Sequence, residues 1–446
     1  MNICFIPIDN RPVCYNLAKD ICAIDESIEL FIPPRQYLGD LTKGADRDVL
    51  IDWMKHLPYM DAMILSLDTL AYGGLIPSRR SEETIDEIKN RIMKLKPILL
   101  GRKVYAFSSI MRISNNNCNE EEKEYWKDYG KKIFEYSYNS SKYWHPAQTD
   151  VPEYILEDYL KTRKRNFEIN KFYLEWQKAG LFDTLIFSKD DCAEYGFNVE
   201  EAQELEHLGG KTKTGADEIP LTLLAKAIKK DIKIFPVYTE PEHKDKISNY
   251  EDISIEKSVL GQLELGGFKI ADTEKDADVV LVVNNFVEKQ GEWVMGWDTQ
   301  LYNRKFNPPE KPYAVADVRY ANGADNGFVT QLFHHDLPLP EFGYSAWNTS
   351  ANTIGSLLAG IKVKFNAKNY NDDAYKKLQI IRYLDDWAYQ ANVREQIEEP
   401  CDIKDMMKPF EDRIINKLYA DEECPYSNIN YKYPWNRKFE IEVSVK

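Results

Sequence analysis

Residues 183–196 read Asp-Thr-Leu-Ile-Phe-Ser-Lys-Asp-Asp-Cys-Ala-Glu-Tyr-Gly. The apolar run at 185–187 has the length and composition of a buried strand, and it stops at a polar group that ends with Asp190 and Asp191. A helical pattern begins only after Asn198, a residue type that caps helices well. The two aspartates therefore follow the carboxyl end of a strand, where proteins with alternating strands and helices bind their ligands.

The same arrangement recurs on both sides of this segment. Eight further strands are predicted, at 3–8, 28–32, 60–67, 104–110, 233–238, 277–283, 313–318 and 343–347. Helical patterns separate most of them, and nearly continuous apolar strands that alternate with helices are typical of parallel sheets. We therefore predict an α/β fold with a mostly parallel sheet, closed as a (β/α)8-like barrel.

The length of 446 residues could hold two or three average domains and also fits one large barrel with insertions, so it leaves the number of domains open. Residues 1–365 are predicted to form a barrel-like catalytic domain, interrupted by a helical insertion at about 113–182. The remaining residues, 366–446, are predicted to form a C-terminal helical and strand extension that packs on this domain. The insertion has long amphipathic patterns, which suit either a lid over an active site or a purely structural cover.

Composition narrows the class of function. The net charge is −15 with no basic stripe, which argues against a nucleic-acid partner. No apolar run is long enough to span a membrane, and the N-terminus enters a strand without a signal-peptide pattern, so we predict a cytoplasmic protein. The seven cysteines and six histidines show none of the spacings of metal sites, and we expect no cofactor. Abundant Tyr and Trp suit a sugar-binding surface but also suit a core.

Polar side chains follow one predicted strand after another. Turn and cap chemistry accounts for such residues at some of these positions, and Asp217 in particular could cap the helix that follows it. A ring of carboxylates, amides and guanidinium groups at one face is also the layout of a site for a polar substrate. We therefore expect Asp190 and Asp191 to be catalytic. The predicted substrate-binding residues are Asp9, Asn10, Arg11, Asp68, Tyr72, Arg112, Tyr195, Asp217, Asn284, Asp317, Asn322, Asp325, Trp347 and Asn348.

Several of these segments carry a family resemblance. They are Pro7-Ile-Asp-Asn-Arg-Pro-Val13, Asp68-Thr-Leu-Ala-Tyr-Gly-Gly74, Ser188-Lys-Asp-Asp-Cys-Ala-Glu-Tyr-Gly196, Gly215-Ala-Asp-Glu218, Tyr320-Ala-Asn-Gly-Ala-Asp325, Ala346-Trp-Asn-Thr-Ser-Ala-Asn-Thr353 and Pro434-Trp-Asn-Arg-Lys-Phe-Glu440. They look like the motifs of an uncharacterised bacterial family catalogued as domain of unknown function 4127, over most of the chain. The resemblance indicates which segments belong to a site, and it implies no reaction type. Asp190 and Asp191 are also similar to the paired aspartates of barrel hexosaminidases that use the substrate's acetamido group as nucleophile.

The first functional hypothesis is a glycoside hydrolase that acts on a small-molecule or oligosaccharide substrate. Asp191 would be the general acid, and Asp190 would orient or polarise the substrate. Adjacent carboxylates repel, which raises one pKa and supplies the acid. Tyr195 would donate a hydrogen bond nearby, and Trp347 would form an apolar wall for a sugar ring.

Two alternatives stay open. The first is a metal-dependent hydrolase or phosphoryl-transfer enzyme, because Asp9, Asp68, Asp190 and Asp191 offer the oxygen ligands that Mg²⁺ and Ca²⁺ prefer. The second is a protein that binds a sugar or metabolite without turning it over. The sequence leaves the sugar, the linkage and the oligomeric state open.

Overall fold

The computed structural model describes residues 1–190, 192–420 and 422–446. It has a mixed α/β fold with mostly parallel sheets, which confirms the predicted class. The chain forms two compact units. The first contains residues 1–15, 29–220 and 250–252, and the second contains residues 16–28, 221–249 and 253–446. Barrel closure and the domain boundary at 365 stay predictions.

The first unit is built on a six-stranded parallel sheet. Its strands are β1 (Asn2–Ile6), β2 (Glu29–Phe31), β3 (Ala62–Ser66), β4 (Val104–Ile110), β5 (Thr184–Lys189) and β6 (Thr212–Thr214). The order across the sheet is β2-β1-β3-β4-β5-β6. The chain thus steps to one side of β1 and then continues on the other side, which places a topological switch point at the carboxyl ends of β1 and β3. Ligands bind at such points in open α/β sheets.

Helices connect these strands, and two of them form the predicted insertion. The helices between β1 and β6 are α1 (Pro12–Cys22), α2 (Arg47–Lys55), α3 (Leu67–Tyr72), α4 (Leu75–Arg80), α5 (Ile85–Ile92), α6 (Lys96–Leu99), α7 (Trp126–Tyr143), α8 (Glu153–Lys178) and α9 (Phe197–His207). The next helix, α10 (Ile219–Ala227), follows β6, and residues 16–22 of α1 and 221–227 of α10 belong to the second unit. The helices α7 and α8 lie within the predicted insertion at 113–182. The helix expected after Asn198 begins earlier, at Phe197, because Gly196 supplies a backbone turn with φ 154° that favours glycine.

Apolar side chains of the central strands form the core of this unit. Met63 and Leu65 from β3 are fully buried in one cluster with Ile169 and Tyr173 from α8. Full burial of such a side chain contributes about 1.5–3 kcal/mol. Because β3 is buried along its whole length, its carboxyl end is held rigidly, and so is the polar segment that follows it.

The second unit is built on a five-stranded parallel sheet. The strands of this unit are β7 (Lys233–Tyr238), β8 (Lys269–Ile270), β9 (Val279–Asn284), β10 (Gly291–Glu292), β11 (Tyr313–Asp317), β12 (Tyr320–Ala321), β13 (Tyr344–Ser345), β14 (Ile429–Lys432) and β15 (Glu442–Val445). The main sheet has the order β13-β11-β9-β7-β8, β10 pairs with β12, and β14 and β15 form an antiparallel pair. The step from β7 to β8 and back to β9 repeats the switch seen in the first sheet. Each unit therefore has its own crevice of this kind.

The helices of the second unit include one long π-helical segment. They are α11 (Ile255–Leu265), α12 (Asn326–Leu332), α13 (Ser350–Asn366), α14 (Asp372–Arg382), the π-helix Tyr383–Val393 and α15 (Lys404–Leu418). No helix in the described part of the chain is long and apolar enough to cross a membrane.

Candidate active site

The predicted site residues are divided between the two units. The first unit holds Asp9, Asn10, Arg11, Asp68, Tyr72, Arg112, Asp190, Tyr195 and Asp217. The second holds Asn284, Asp317, Asn322, Asp325, Trp347 and Asn348. Asp191 lies outside the described residues. The expectation that all of them line one cleft stays a prediction, and each set has its own geometry.

Arg11 joins the loop after β1 to the loop after β6. Its Nε donates to Asp9 Oδ2 at 2.8 Å, and its Nη2 donates to Asp217 Oδ1 at 2.6 Å. All three side chains are buried. Burial raises the pKa of the Asp217 carboxyl, and Arg11 opposes that rise. Asp217 is thus an ion-pair partner of Arg11, which differs from the helix-cap role that the sequence also allowed.

The same cluster is the first place to test for a metal site. Ligand atoms of Asp9, Cys14 and Asp217 lie within 4.8 Å of one another. However, Arg11 donates to both carboxylates, so a cation between them would be repelled by the guanidinium charge. These residues therefore fit a buried ion-pair cluster better than a metal centre.

Asp68 sits just beyond β3, in the first turn of α3. Its side chain is 2% exposed, and Oδ2 accepts a hydrogen bond from the Ser109 backbone N–H at 2.8 Å. Burial raises the pKa of this carboxyl to about 7. Thr69 next to it donates to the backbone oxygens of Pro7 and Ile8, at 2.7 and 3.0 Å, which fixes the end of β1 beside the end of β3. A carboxyl with such a pKa can donate a proton near neutral pH.

Asp190 belongs to a second group of charges at the ends of β4 and β5. Arg112 donates from Nη1 to Asp190 Oδ2 at 3.3 Å, from Nη2 to Glu121 Oε2 at 2.9 Å and from Nε to Glu122 Oε1 at 3.1 Å. Arg79, 1% exposed, places Nε 3.1 Å from the same Glu122 oxygen. Burial and the nearby Arg112 charge lower the pKa of Arg79. Two guanidinium groups and three carboxylates thus alternate in one network.

Asp68 and Asp190 follow strands that lie near each other in one sheet. They follow β3 and β5, and β4 alone lies between these strands. Neighbouring strands are about 4.8 Å apart, so β3 and β5 are separated by about 10 Å across the sheet. Ser66 is level with Phe107 and Phe107 with Ile186, so Asp190 also lies farther along the strand direction than the end of β3. The charge of Arg79 acts on the Asp68 carboxyl, and the charge of Asp190 acts on Arg79, which places the guanidinium near both.

The comparisons with known proteins bear on this site. The family model described as "Protein of unknown function (DUF4127)" matches residues 3–444. The chain belongs to this family. The resemblance of its motifs is thereby confirmed, and no curated protein and no solved structure gives a significant match.

Several DUF4127 motif segments in the first unit carry further members of the site. Asn10 anchors its loop, because its backbone N–H donates to the Gly39 oxygen at 3.0 Å. Tyr72 is buried at the wall of a pocket of about 460 Å³, between the loop after β2 and the helices after β3. Arg47 and Glu83, an ion pair with 2.6 Å between Nη1 and Oε2, also line this pocket. Tyr195 packs edge to face on Tyr138, which lies in the insertion.

Sequence reasoning missed Arg79, Glu121 and Glu122. Arg79 ends the segment Gly73-Gly74-Leu-Ile-Pro-Ser-Arg79 that follows the motif of Asp68. An arginine in such an apolar context could have indicated a buried charge at the site. The two glutamates had no such signal. They lie in a charged stretch that looks like an ordinary solvated surface, and only the fold brings them to Arg112.

In the second unit, the predicted residues Asn284, Asp317 and Asp325 belong to one buried hydrogen-bond network. Asn284 Nδ2 donates to Asp317 Oδ1 at 2.8 Å, and the Asp325 backbone N–H donates to Asp317 Oδ2 at 2.8 Å. All three are fully buried, and Tyr344 adds a hydrogen bond to Asp317. Burial, with the neighbouring Asp325 charge, raises the pKa of Asp317 to about 7. This network joins and stabilises the ends of β9 and β11.

Asn322 and Asn348 form a separate polar pair in the second unit. Both have left-handed backbones, with φ 58° and 60°, and Asn348 Nδ2 donates to Asn322 Oδ1 at 3.1 Å. Asn322 in turn donates to the buried Glu292 at 2.6 Å. Trp347 is 3% exposed, so its ring packs inside the protein. The expected apolar wall for a sugar is therefore not displayed on the surface at this position.

Proposed function

We propose that the protein is a glycoside hydrolase whose site lies at the carboxyl edge of the first unit's sheet. The observation that carries this proposal is the buried Asp68 carboxyl, with its pKa raised to about 7, one strand away from the arginine-bound Asp190. Barrel closure and a cytoplasmic location remain parts of the proposal.

Each carboxyl has a distinct role in the proposed reaction. Asp68, protonated near neutral pH, donates its proton to the glycosidic oxygen as the bond to the leaving sugar breaks. Asp190, held by Arg112, accepts a proton from the water that attacks the anomeric carbon. This division of roles is that of the inverting mechanism, whose carboxyls are about 6.5–9.5 Å apart because a water must fit between them. Asp68 thus takes the acid role that the sequence assigned to Asp191.

The metal-dependent alternative has less support. Of its four proposed carboxylate ligands, Asp9 is bound by Arg11 and Asp190 by Arg112. The guanidinium groups at these two carboxylates disfavour a divalent cation there. A protein that binds a sugar or metabolite without turning it over would use the same residues. A measurement of turnover distinguishes this alternative from a glycoside hydrolase.

The test is hydrolysis of a panel of unactivated and aryl glycosides by the wild type, Asp68→Asn and Asp190→Asn. We expect both variants to lose about 10²–10⁴-fold in turnover of unactivated glycosides, the usual worth of general acid–base catalysis. For Asp68→Asn the loss should be smaller with activated aryl leaving groups, which need less protonation.

The matched control is Asp61→Asn. Asp61 lies at the amino end of β3, where its carboxylate accepts a hydrogen bond from the Asn2 backbone N–H at 2.7 Å, and it should keep wild-type turnover. Full activity in both site variants would refute the assignment. Loss of some other hydrolytic activity on EDTA treatment, with no glycoside cleaved, would support the metal-dependent reading instead.

A further inference from the structure

An exposed group of aromatic rings lies on the helical insertion of the first unit. We call it the aromatic platform, and its members are Tyr138, Lys142, Tyr143, Trp144, His145 and Tyr195. Most of them lie at the C-terminal end of α7, and Tyr195 comes from the segment after β5. Trp144 is 81% exposed and Tyr143 is 58% exposed. Two large aromatic side chains in such a position contribute almost nothing to the core.

Trp144 also has an unusual backbone. It ends α7 in the left-handed conformation, with φ 57° and ψ 29°. Glycine and asparagine are the residues that adopt this conformation at helix ends, and a bulky side chain is disfavoured there. Because the indole is exposed, burial does not offset this cost. The tryptophan is therefore unfavourable for folding, and a role in binding explains why it stands at this position.

Lys142 and four of the platform's rings are held next to each other. The Lys142 Nζ lies 5.8, 5.7 and 5.9 Å from the ring centres of Tyr138, Tyr143 and Tyr195. Tyr143 stacks on His145, with the ring centres 6.3 Å apart and the planes at 21°. Tyr138 meets Tyr195 edge to face at 5.5 Å. The surface thus offers flat apolar faces beside an ammonium group that can donate hydrogen bonds.

The platform continues from the candidate active site along the chain. Tyr195 follows Asp190 by five residues, so their Cα atoms are at most about 18 Å apart. A short segment of chain thus joins the platform to the candidate active site. The chain's net charge of −15 makes a nucleic acid an unsuitable occupant, although its bases could also stack on such rings.

We infer that the aromatic platform binds the sugar rings of an oligosaccharide, outside the bond that is cleaved. The apolar faces of pyranose rings would stack on Trp144 and Tyr143, and their hydroxyl groups would accept hydrogen bonds from Lys142. The inference therefore identifies the substrate class as an oligosaccharide or polysaccharide. It depends on the proposed function only for the claim that this ligand is cleaved. Binding to the platform requires no turnover.

The first experiment measures binding of the full-length protein to a glycan array and to cellulose, chitin and starch beads. The wild type should be retained by at least one of these glycans, and Trp144→Ala and Tyr143→Ala should each bind it about tenfold more weakly. Tyr59→Ala is the matched control. Tyr59 is a 78% exposed aromatic residue in the loop before β3, at the amino edge of the sheet, and its removal should leave binding unchanged.

A second variant distinguishes a loss of glycan binding from a loss of folding. Trp144→Gly places a favoured residue in the left-handed position, so its unfolding temperature should rise by a few degrees while glycan binding weakens as in Trp144→Ala. Wild-type retention by the beads should also persist in Asp68→Asn, which has lost turnover. Binding without cleavage would therefore leave this inference standing even if the proposed reaction failed.

Three results would overturn the inference. The first is a wild type that binds no glycan on the array or the beads. The second is equal binding by the wild type and Trp144→Ala. The third is concentration-dependent self-association of the wild type in sedimentation velocity that Trp144→Ala abolishes without any change in glycan binding, because the platform would then be a contact between copies of the chain.

Discussion

At the scale of single residues, Asp68 has properties that oppose stability and favour catalysis. Its carboxyl is buried, and its pKa is raised from 3.8 to about 7. The folded protein therefore binds a proton that the unfolded chain releases between pH 4 and pH 7. Stability falls as pH rises through this range, because the unfolded state then binds fewer protons than the native state. A residue that costs stability at the working pH of an enzyme is typical of an active site.

This leads to a prediction for Asp68→Asn. Each pKa unit corresponds to about 1.4 kcal/mol, so the variant should be more stable than the wild type by on the order of 2–4 kcal/mol at pH 8. The difference should nearly vanish at pH 4, where both proteins are neutral at this position. Urea unfolding of both proteins at the two pH values measures it. A variant that is less stable than the wild type at pH 8 would contradict the raised pKa.

At the scale of structural elements, the sequence predicted the positions of strands better than it predicted the roles of the polar residues at their ends. The strands at 104–110 and 233–238 match β4 and β7 residue for residue, because an apolar run bounded by polar residues favours a strand. The polar residues after the strands look alike in sequence. Asp68 lies just after β3, Asp317 ends β11, and both have raised pKa values. The Asp68 carboxyl accepts a hydrogen bond from Ser109, whereas Asp317 accepts hydrogen bonds from Asn284, Asp325 and Tyr344. Only packing separates a site from a structural network.

The network at the ends of β9 and β11 gives a prediction of its own. Asn284→Ala removes the donor shared by Asp317 and Asp325, and it leaves two buried carboxylates with fewer partners. We expect a loss of on the order of 3 kcal/mol in the free energy of unfolding at pH 8. The loss should be smaller at pH 5, because Asp317, whose pKa is already about 7, is protonated there.

Denaturant unfolding at both pH values checks this prediction. Asn303→Ala, which alters an exposed residue of the same unit, is the control and should change stability by less than about 0.5 kcal/mol. A loss in Asn284→Ala as small as that of the control would mean that the network does not stabilise the strand ends.

At the scale of the whole molecule, the order of the strands in the sheets could not be predicted from the sequence. Alternating strands and helices predicted a parallel sheet, and the structure has two main parallel sheets with the same switch in strand order. The side of β1 on which β2 pairs depends on contacts between distant segments, and no local pattern encodes it. The site could be predicted only in part for the same reason: Asp9 and Asp217 are joined by Arg11 across more than two hundred residues of sequence.

The discontinuous first unit gives a prediction at this scale. Strand β1 lies between β2 and β3, but residues 16–28 of the second unit separate it from β2 in sequence. A fragment of residues 29–220 therefore lacks the strand that joins β2 to the rest of the sheet and should be poorly folded. A fragment of residues 1–220 keeps that strand and should show more native-like circular dichroism and a cooperative thermal transition. Equal behaviour of the two fragments would contradict the role of β1.

The most direct test of the proposed chemistry is the pH dependence of kcat/KM for an unactivated glycoside. Asp68 must carry its proton to act as the acid, so wild-type kcat/KM should fall above pH 7 with one apparent pKa of about 7. In Asp68→Asn that decline should disappear, and the residual activity should be low and flat across the same range. No hydrolysis of any glycoside by the wild type, or the same decline in Asp68→Asn, would contradict the account.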